Sequence, residues 1–250
     1  MPYVDIKQVI EAGGLRLILV RGFPSAWGIA VKAMMEYKRL DFTLGSQIPM
    51  ADNPELLAWS GTNSAPVVAW NDEKPINRWD DILLLLERLA PDTRLVPEDP
   101  VERIQLFGIG HEICGELGFG WNRRLDLVRP AEGATAPSEF ALKYGYREVD
   151  AKLANARVIA LMGALAAILK AQKARGSDYF IGNSITAVDF YWAAFSNFVA
   201  IQPPELMPLA PAVRPMFENT PDDVKAAIDP VLIEHRDRIM GSFFRLPHEL

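Results

Sequence analysis

The segment Thr186-Ala-Val-Asp189 constrains the fold of this chain more than any other part of the sequence. Thr186 can accept a hydrogen bond from the first turn of a helix, and Asp189 can reach back to the Thr186 N–H, which together make a capping box. Ile185 and Phe190 stand where a hydrophobic staple would stand. The residues after the cap are almost all apolar, which predicts a helix buried at the centre of a helical domain.

Composition narrows the classes of function. The chain has 250 residues, half of them hydrophobic, and a net charge of −6, which argues against nucleic acid as the main partner. Its single cysteine, Cys114, cannot form an internal disulfide and suits the reducing cytoplasm. One cysteine and three scattered histidines predict no metal site. Because we find neither a signal peptide nor an apolar run of about 18 residues, we expect a cytoplasmic protein without a membrane span.

Strand and helix patterns alternate in the first part of the chain, and helical patterns alone follow a proline-rich segment. We therefore predict an α/β domain over 1–90, a linker over 91–100 and an all-α domain over 101–250. Strands are predicted at 15–20, 40–47, 65–70 and 75–77. Helices are predicted at 28–38, 52–59, 80–89, 101–117, 139–173, 186–199 and 221–240.

Ser25 lies just before the first long predicted helix. Unpaired N–H groups and the positive end of the helix dipole favour an anion at such a place. A serine hydroxyl there can donate a hydrogen bond to a bound thiolate, and it lowers the pKa of the thiol because it favours the charged form. The alternative is that Ser25 is only an N-cap, since serine is a preferred capping residue.

Two further segments open elements of the α/β half. Pro66 opens a strand where a trans proline is disfavoured, and a cis Ala65–Pro66 bond would turn the preceding backbone outward toward a peptide-like ligand; an ordinary trans proline at a strand end is the alternative. Arg78, Trp79 and Asp80 stand at the start of the next helix. The acid there complements the helix dipole, or the same helix start holds a ligand carboxylate with Arg78 adding charge.

The helical half offers residues for a substrate cleft. His111 and Cys114 are one helical turn apart, but two ligands make no metal site, so packing between domains is the simpler role. Trp121, Arg123 and Arg124 either line a cleft or form a solvated face.

Together these features resemble the glutathione S-transferase superfamily over nearly the whole chain, and in particular its cytosolic serine- and cysteine-type members. Pro24 to Met35, with Arg39 to Phe42, resembles the loop, first helix and second-strand entry of those members. The resemblance implies a thioredoxin-like domain followed by an all-helical domain, with the capping box Thr186 and Asp189 as a structural element. It also implies a cytosolic homodimer.

The resemblance further implies glutathione as co-substrate, with Ser25 activating its thiol for attack on a hydrophobic electrophile. Glutathione would lie at Ala65, Pro66, Arg78, Trp79 and Asp80. The electrophile would lie near Trp27, His111, Trp121 and Arg124.

One departure concerns the γ-glutamyl end of glutathione. Where the family usually has Glu-Ser, this chain has Arg78-Trp79. We expect Trp79 to crowd that position, so that binding shifts to Asp80 or the backbone, weakens, or favours another thiol. Two alternatives therefore stay open: a non-catalytic ligand-binding or interaction protein with this fold, and a glutathione-dependent lyase, isomerase or dehalogenase.

Overall fold

The computed structural model describes residues 2–130 and 136–249. Its sheet has three strands, β1 (Leu15–Val20), β2 (Phe42–Gln47) and β3 (Val67–Trp70), in the order β2-β1-β3. β2 runs parallel to β1 and β3 runs antiparallel to it. The fourth strand predicted at 75–77 is reduced to a single bridge between Val68 and Ile76, because Pro75 has no N–H to donate to a ladder.

Four helices accompany the sheet. They are α1 (Ile6–Glu11), α2 (Ala26–Tyr37), α3 (Pro54–Ser60) and α4 (Trp79–Leu89). The last three agree with the predicted helices to within a few residues. α1 was not predicted, although Asp5 and Gln8 have the spacing of a capping box and form one.

Helices dominate the rest of the described chain. They are α5 (Pro100–Cys114), α6 (Phe119–Leu127), α7 (Glu139–Lys143), α8 (Glu148–Ala174), α9 (Ala187–Phe195) with a 3₁₀ turn at Ser196–Phe198, α10 (Arg214–Glu218), α11 (Asp222–Ala226) and α12 (Pro230–Phe243). The division into a mixed α/β half and an all-α half is as predicted. The domain limits stay a prediction, and Met1, 131–135 and Leu250 within them lie outside the described residues.

Two predicted helices are wrong because each is really two helices. The helix predicted over 139–173 breaks between α7 and α8, where Gly145 has a φ of 71° that other residues rarely adopt. A Cβ on Gly145 would also lie 2.9 Å from a ring carbon of Trp121. The helix predicted over 221–240 breaks at Asp229 and Pro230, where Asp229 caps α12 by accepting from the Val231 N–H.

The capping box of α9 is confirmed and is buried. The Thr186 N–H donates to Asp189 Oδ2 at 2.8 Å. Asp189 Oδ1 accepts from the Phe180 N–H at 3.1 Å and lies 3.0 Å from His235 Nε2. Asp189 is fully buried, so one carboxylate organises three chain segments.

The main hydrophobic core runs through both halves of the molecule. α2 packs against α9, whose residues are all buried, and β1 lies behind α2. Within the described residues, α8 is long and apolar enough for a membrane span by length and composition alone. One side of it packs against α6, α11 and α12.

Candidate functional site

Three of the predicted site segments meet at one end of the sheet. β1 ends at Val20, and the chain continues through a short loop to Ser25. Because β3 is antiparallel to β1 with Ile18 opposite Val67, Ala65–Pro66 enters at that same end. After β3 the chain turns back past Ile76, so α4 also begins there. The topology thus brings together residues 25, 65–66 and 78–80.

Ser25 is the N-cap residue of α2, with φ −66° and ψ 107°, and it is half-buried. Within the described part of the chain its hydroxyl makes no capping hydrogen bond to the helix. Other N-cap side chains do make that bond, among them Asp99 at α5 and Ser138 at α7. The start of α2 therefore keeps both a free hydroxyl and unpaired N–H groups, which is the arrangement an anion needs.

The C-terminal tail covers the other side of Ser25. A cavity of about 20 Å³ lies between Ser25, Lys32 and His248, which is room for about one water molecule. His248 Nε2 donates a 3.0 Å hydrogen bond to Gln202 Oε1, and the backbone N–H of His248 donates to the Leu206 carbonyl. Burial, with the charge of Lys32, lowers the pKa of His248 to about 4.

The Ala65–Pro66 peptide bond is cis, as predicted. The strand that follows is buried from Val67 onward. Ala65 makes no backbone hydrogen bond with the residues that the structure describes. The N–H and the carbonyl of Ala65 are therefore available for hydrogen bonds with a ligand at the end of the sheet where Ser25 lies.

Arg78 and Asp80 form an ion pair at the start of α4. Arg78 Nη2 donates to Asp80 Oδ2 at 2.7 Å, although the Arg78 side chain is 68% exposed. Burial of Asp80 opposes its ionisation, but the hydrogen bond and charge of Arg78 outweigh burial and lower the pKa of Asp80. Asp80 Oδ1 is buried and has no hydrogen-bond partner among the described residues, so a carboxylate oxygen remains for a donor.

Trp79 points toward the helical half. Its ring lies 5.6 Å from the ring of Tyr191 and 6.3 Å from that of Phe107. A Cβ on Gly110 would come within 2.9 Å of a Trp79 ring carbon. This packing against α5 and α9 accounts for the position of the ring, and the expectation that Trp79 crowds the γ-glutamyl position stays a prediction.

Trp27, which follows Ser25 by two residues, belongs to an aromatic cluster with Trp121, Arg124 and Tyr144, which we call the aromatic pocket. The Arg124 guanidinium carbon lies 5.0, 4.7 and 4.5 Å from the ring centroids of Trp27, Trp121 and Tyr144. Three of these residues were predicted for the electrophile. Tyr144 was missed, because it falls in the break of the helix predicted to run through it.

His111 and Cys114 are the remaining candidates. His111 is exposed on α5, and its ring covers Gly115, where a Cβ would lie 2.5 Å from Nδ1. The carbonyl of Cys114 accepts a 3.0 Å hydrogen bond from Trp27 Nε1, which ties the start of α2 to the end of α5. Burial raises the pKa of the Cys114 thiol, so it is a packed group and not a nucleophile. The described residues contain no cluster of three or more metal-ligating side chains.

Comparison with solved structures identifies the fold. The chain superimposes on a glutathione S-transferase from Methylobacillus flagellatus with GSH bound, with a TM-score of 0.66, 14% identity, and coverage of 92% of this chain and 96% of the other. A glutathione S-transferase from Methylobacterium radiotolerans, in complex with glutathione sulfonate, gives a TM-score of 0.62 at 17% identity over 92% of each chain. This chain has the glutathione transferase fold.

The same fold occurs in a β-etherase, LigF from Sphingobium, with a TM-score of 0.62, 17% identity, and coverage of 91% of this chain and 95% of the other. No protein-family profile and no curated protein sequence matches the chain. In the glutathione transferase fold, the mixed sheet of this chain is the thioredoxin-like part, and α5 onward is the helical part.

Proposed function

We propose that this protein belongs to the glutathione transferase superfamily and binds glutathione at the end of the sheet formed by Ser25, Ala65–Pro66 and the start of α4. The observation that carries the proposal is the half-buried Ser25 hydroxyl, which makes no capping bond at the start of a buried helix. Structures with this fold hold glutathione or its sulfonate. The Ser25 hydroxyl donates a hydrogen bond to the glutathione thiolate instead of capping the helix, and the positive end of the helix dipole stabilises the thiolate charge.

Ser25 acts by stabilising charge. The thiol proton of glutathione passes to water, and the Ser25 hydroxyl donates a hydrogen bond to the thiolate that remains. The thiolate then attacks an electrophilic carbon, a C–S bond forms, and the bond to the leaving group breaks with its electron pair going to that group. Ser25 keeps its own proton throughout, so it is a catalytic donor and not a base.

The backbone and α4 orient the peptide. The unspent N–H and carbonyl of Ala65 pair with the cysteinyl backbone of glutathione. At the γ-glutamyl end, Asp80 Oδ1 accepts from the ammonium group while the exposed Arg78 faces the carboxylate. Arg78 precedes Asp80, whereas in the usual Glu-Ser pair the acid comes first. The cation and the acid of this chain still match the carboxylate and the ammonium group of the γ-glutamyl end.

The electrophile occupies the aromatic pocket. Trp27 is two residues beyond Ser25, and its ring packs 4.7 Å from Phe195. Apolar rings on three sides favour a hydrophobic or aromatic electrophile. His111 lies further along α5 and contributes to the rim of this site.

Calorimetry and conjugation assays test this function. Wild type should bind glutathione below millimolar concentration and conjugate 1-chloro-2,4-dinitrobenzene, while Ser25→Ala should bind glutathione and conjugate slowly. No binding at millimolar glutathione would sink the proposal. Full activity of Ser25→Ala would remove Ser25 from the mechanism and leave glutathione binding in place.

Two other functions have specific support. Cleavage of an aryl ether by thiolate attack, with an aryloxide as leaving group, is supported by the likeness to a β-etherase and by the aromatic pocket. It predicts turnover of ether substrates in preference to aryl halides. A non-catalytic binding role is supported by the altered Arg78–Trp79 pair, and it predicts saturable binding with no turnover of either substrate.

We also propose a cytoplasmic homodimer. Val101 and Ile104 lie one turn apart on α5 and are 63% and 73% exposed, so they place two adjacent apolar side chains on the surface. A second copy of the chain would bury them. Light scattering at micromolar concentration should give the mass of two chains, and Ile104→Glu should shift it toward one.

A further inference from the structure

We propose that the aromatic pocket takes an electrophile that carries a carboxylate on or near an aromatic ring, and that Arg124 holds this carboxylate. The identity of the ligand as an electrophile rests on the proposed function above. The anion site itself rests on the contacts of Arg124 and its neighbours.

Three aromatic rings surround the Arg124 guanidinium. Its central carbon lies 4.5 to 5.0 Å from the centroids of Tyr144, Trp121 and Trp27. Cation–π contact of this kind uses the charge of the guanidinium but none of its hydrogens. The five N–H bonds point outward in the guanidinium plane, where a carboxylate can accept two of them side by side.

Those N–H donors are unspent. The Arg124 side chain makes no hydrogen bond or ion pair with residues 2–130 or 136–249, and its Nε is buried without a partner. A buried donor without an acceptor is costly, and native proteins contain few of them. Burial lowers the pKa of Arg124 to about 10, so the group still carries its charge at neutral pH. A charged donor set held open in this way is suited to an incoming anion.

The neighbouring arginine shows what a structural arginine looks like in the same helix. Arg123 is buried, its Nε donates to the Phe198 carbonyl at 3.0 Å, and its Nη1 donates to Asp126 at 2.9 Å. Arg123 thus has an acid and a carbonyl, whereas Arg124 has neither. Both residues are arginines and they are adjacent in α6. The difference in their hydrogen bonds therefore comes from the surroundings that each side chain faces.

A second cation stands on the same ring. Lys143 Nζ lies 5.4 Å from the centroid of Tyr144 and donates to the Asn63 carbonyl at 3.2 Å. Among the described residues no carboxylate pairs with either Lys143 or Arg124. Asn63 is two residues before Ala65, so the excess of positive charge borders the proposed glutathione site. The pocket therefore combines aromatic walls with unbalanced positive charge, which matches an aromatic carboxylate.

A binding experiment without glutathione tests the anion site. The probes are 3,5-dinitrobenzoate and its amide, 3,5-dinitrobenzamide. Their binding is measured by calorimetry and by quenching of the tryptophan fluorescence, to which Trp27 and Trp121 contribute. Wild type should bind the acid about tenfold more tightly than the amide, since a charge-assisted pair is stronger than a neutral one. Arg124→Gln should bind the two equally, and Arg124→Lys should keep part of the preference.

Arg103→Gln is the matched control. Arg103 also lies close to an aromatic ring, 4.9 Å from the centroid of Phe107. It stands near the N-terminal end of α5, whereas the aromatic pocket contacts the C-terminal end of α5 through Trp27. Its replacement should leave the preference for the acid unchanged. Equal binding of acid and amide by wild type overturns the proposal whether or not any variant folds. An equal loss of both probes in Arg124→Gln also overturns it, because that result means that Arg124 only shapes the pocket.

Turnover separates this proposal from the proposed function. With glutathione present, kcat/KM for 4-chloro-3,5-dinitrobenzoate and for its amide are each divided by the uncatalysed rate. Wild type should favour the acid about tenfold and Arg124→Gln should not. Failure of glutathione binding would remove the proposed function and leave the acid preference in the first experiment. Normal conjugation without a preference for the acid would overturn the carboxylate site and leave the proposed function in place.

Discussion

The starts of α2 and α9 each have a hydroxyl residue at the N-cap position, and they differ in almost every other respect. At α9, Thr186 and Asp189 exchange hydrogen bonds, and the carboxylate also serves Phe180 and His235. At α2, Ser25 occupies the same N-cap position with no capping bond from its side chain, in the part of the chain that the structure describes. At α9 the buried carboxylate of Asp189 accepts hydrogen bonds from the Thr186 N–H, the Thr186 hydroxyl and the Phe180 N–H, whereas at α2 the side chain of the N-cap residue makes no such bond with the described residues.

The difference separates stability from function. A completed cap contributes to folding and cannot also bind a ligand, because its acceptor is already occupied. An incomplete cap contributes little to folding and leaves donors for an anion. A capping motif in a sequence therefore predicts a helix start in both cases, and only its hydrogen bonds distinguish the two roles.

Asp189→Ala should have the largest effect on folding. It leaves the Thr186 and Phe180 N–H groups and the His235 ring without their shared acceptor inside the core. Each buried unpaired group costs about 1–3 kcal/mol, so we expect a loss of about 3 kcal/mol or more in the free energy of unfolding. Urea denaturation measures it, and a loss below about 1 kcal/mol would contradict the network.

Ser25→Ala should show the opposite profile. Loss of a hydrogen bond to a charged thiolate corresponds to about 1.5–3 kcal/mol, or roughly a 10- to 100-fold fall in kcat/KM. The pH midpoint of kcat/KM should rise, because the hydrogen bond favours the charged form and its removal raises the thiol pKa. An unchanged midpoint would show that Ser25 does not face the sulfur.

His248, in the tail beside Ser25, should make stability depend on pH. Its pKa is lowered from 6.5 to about 4 in the folded state, so the unfolded chain takes up the proton first as pH falls. The contribution is present above pH 6.5 and is lost progressively toward pH 4, by about 2 kcal/mol between pH 7 and pH 5. His248→Gln should flatten this slope relative to wild type in parallel urea titrations, and identical slopes would contradict the buried neutral ring.

The smallest expected effects are those of removing the hydroxyl group at each of the two caps, and they compare the caps most directly. Thr186→Ala removes a hydroxyl that donates to Asp189 at 3.1 Å, and it should cost about 1 kcal/mol of stability. Ser25→Ala removes a hydroxyl without a capping bond, and it should change stability by less than about 0.5 kcal/mol. Equal losses in thermal or urea unfolding would show that the two caps do the same work.

Local patterns in the sequence were sufficient for the elements that stand on local physics. The strand at 15–20, the helix after Ser25 and the capping box at Thr186 follow from periodicity and from residues within one turn. The breaks at Gly145 and Asp229 were missed. The positive φ of Gly145 closes α7 locally, because the Tyr146 N–H donates to the Ala141 carbonyl and the Gly145 N–H donates to the Leu142 carbonyl. This helix end is a local signal, and the helical periodicity on either side of it concealed it.

The site was predicted less completely because its contacts cross the molecule. The sequence indicates Trp27, Trp121 and Arg124 as candidates, but the cluster they form with Tyr144 depends on the arrangement of α2, α6 and α7. The direction of Trp79 also depends on Gly110, which lies in the other half of the chain. Local pattern has no information on such pairs.

The fit of Trp79 against Gly110 has a consequence for how this protein can change over generations. Trp79 belongs to the α/β part and Gly110 to the helical part, and the ring fills the space that the missing side chain leaves open. A recombination event that exchanged the α/β part for that of a distant homologue would deliver either a void or a clash at this point. We therefore expect the two parts to be inherited together and substitutions at 79 and 110 to occur as pairs.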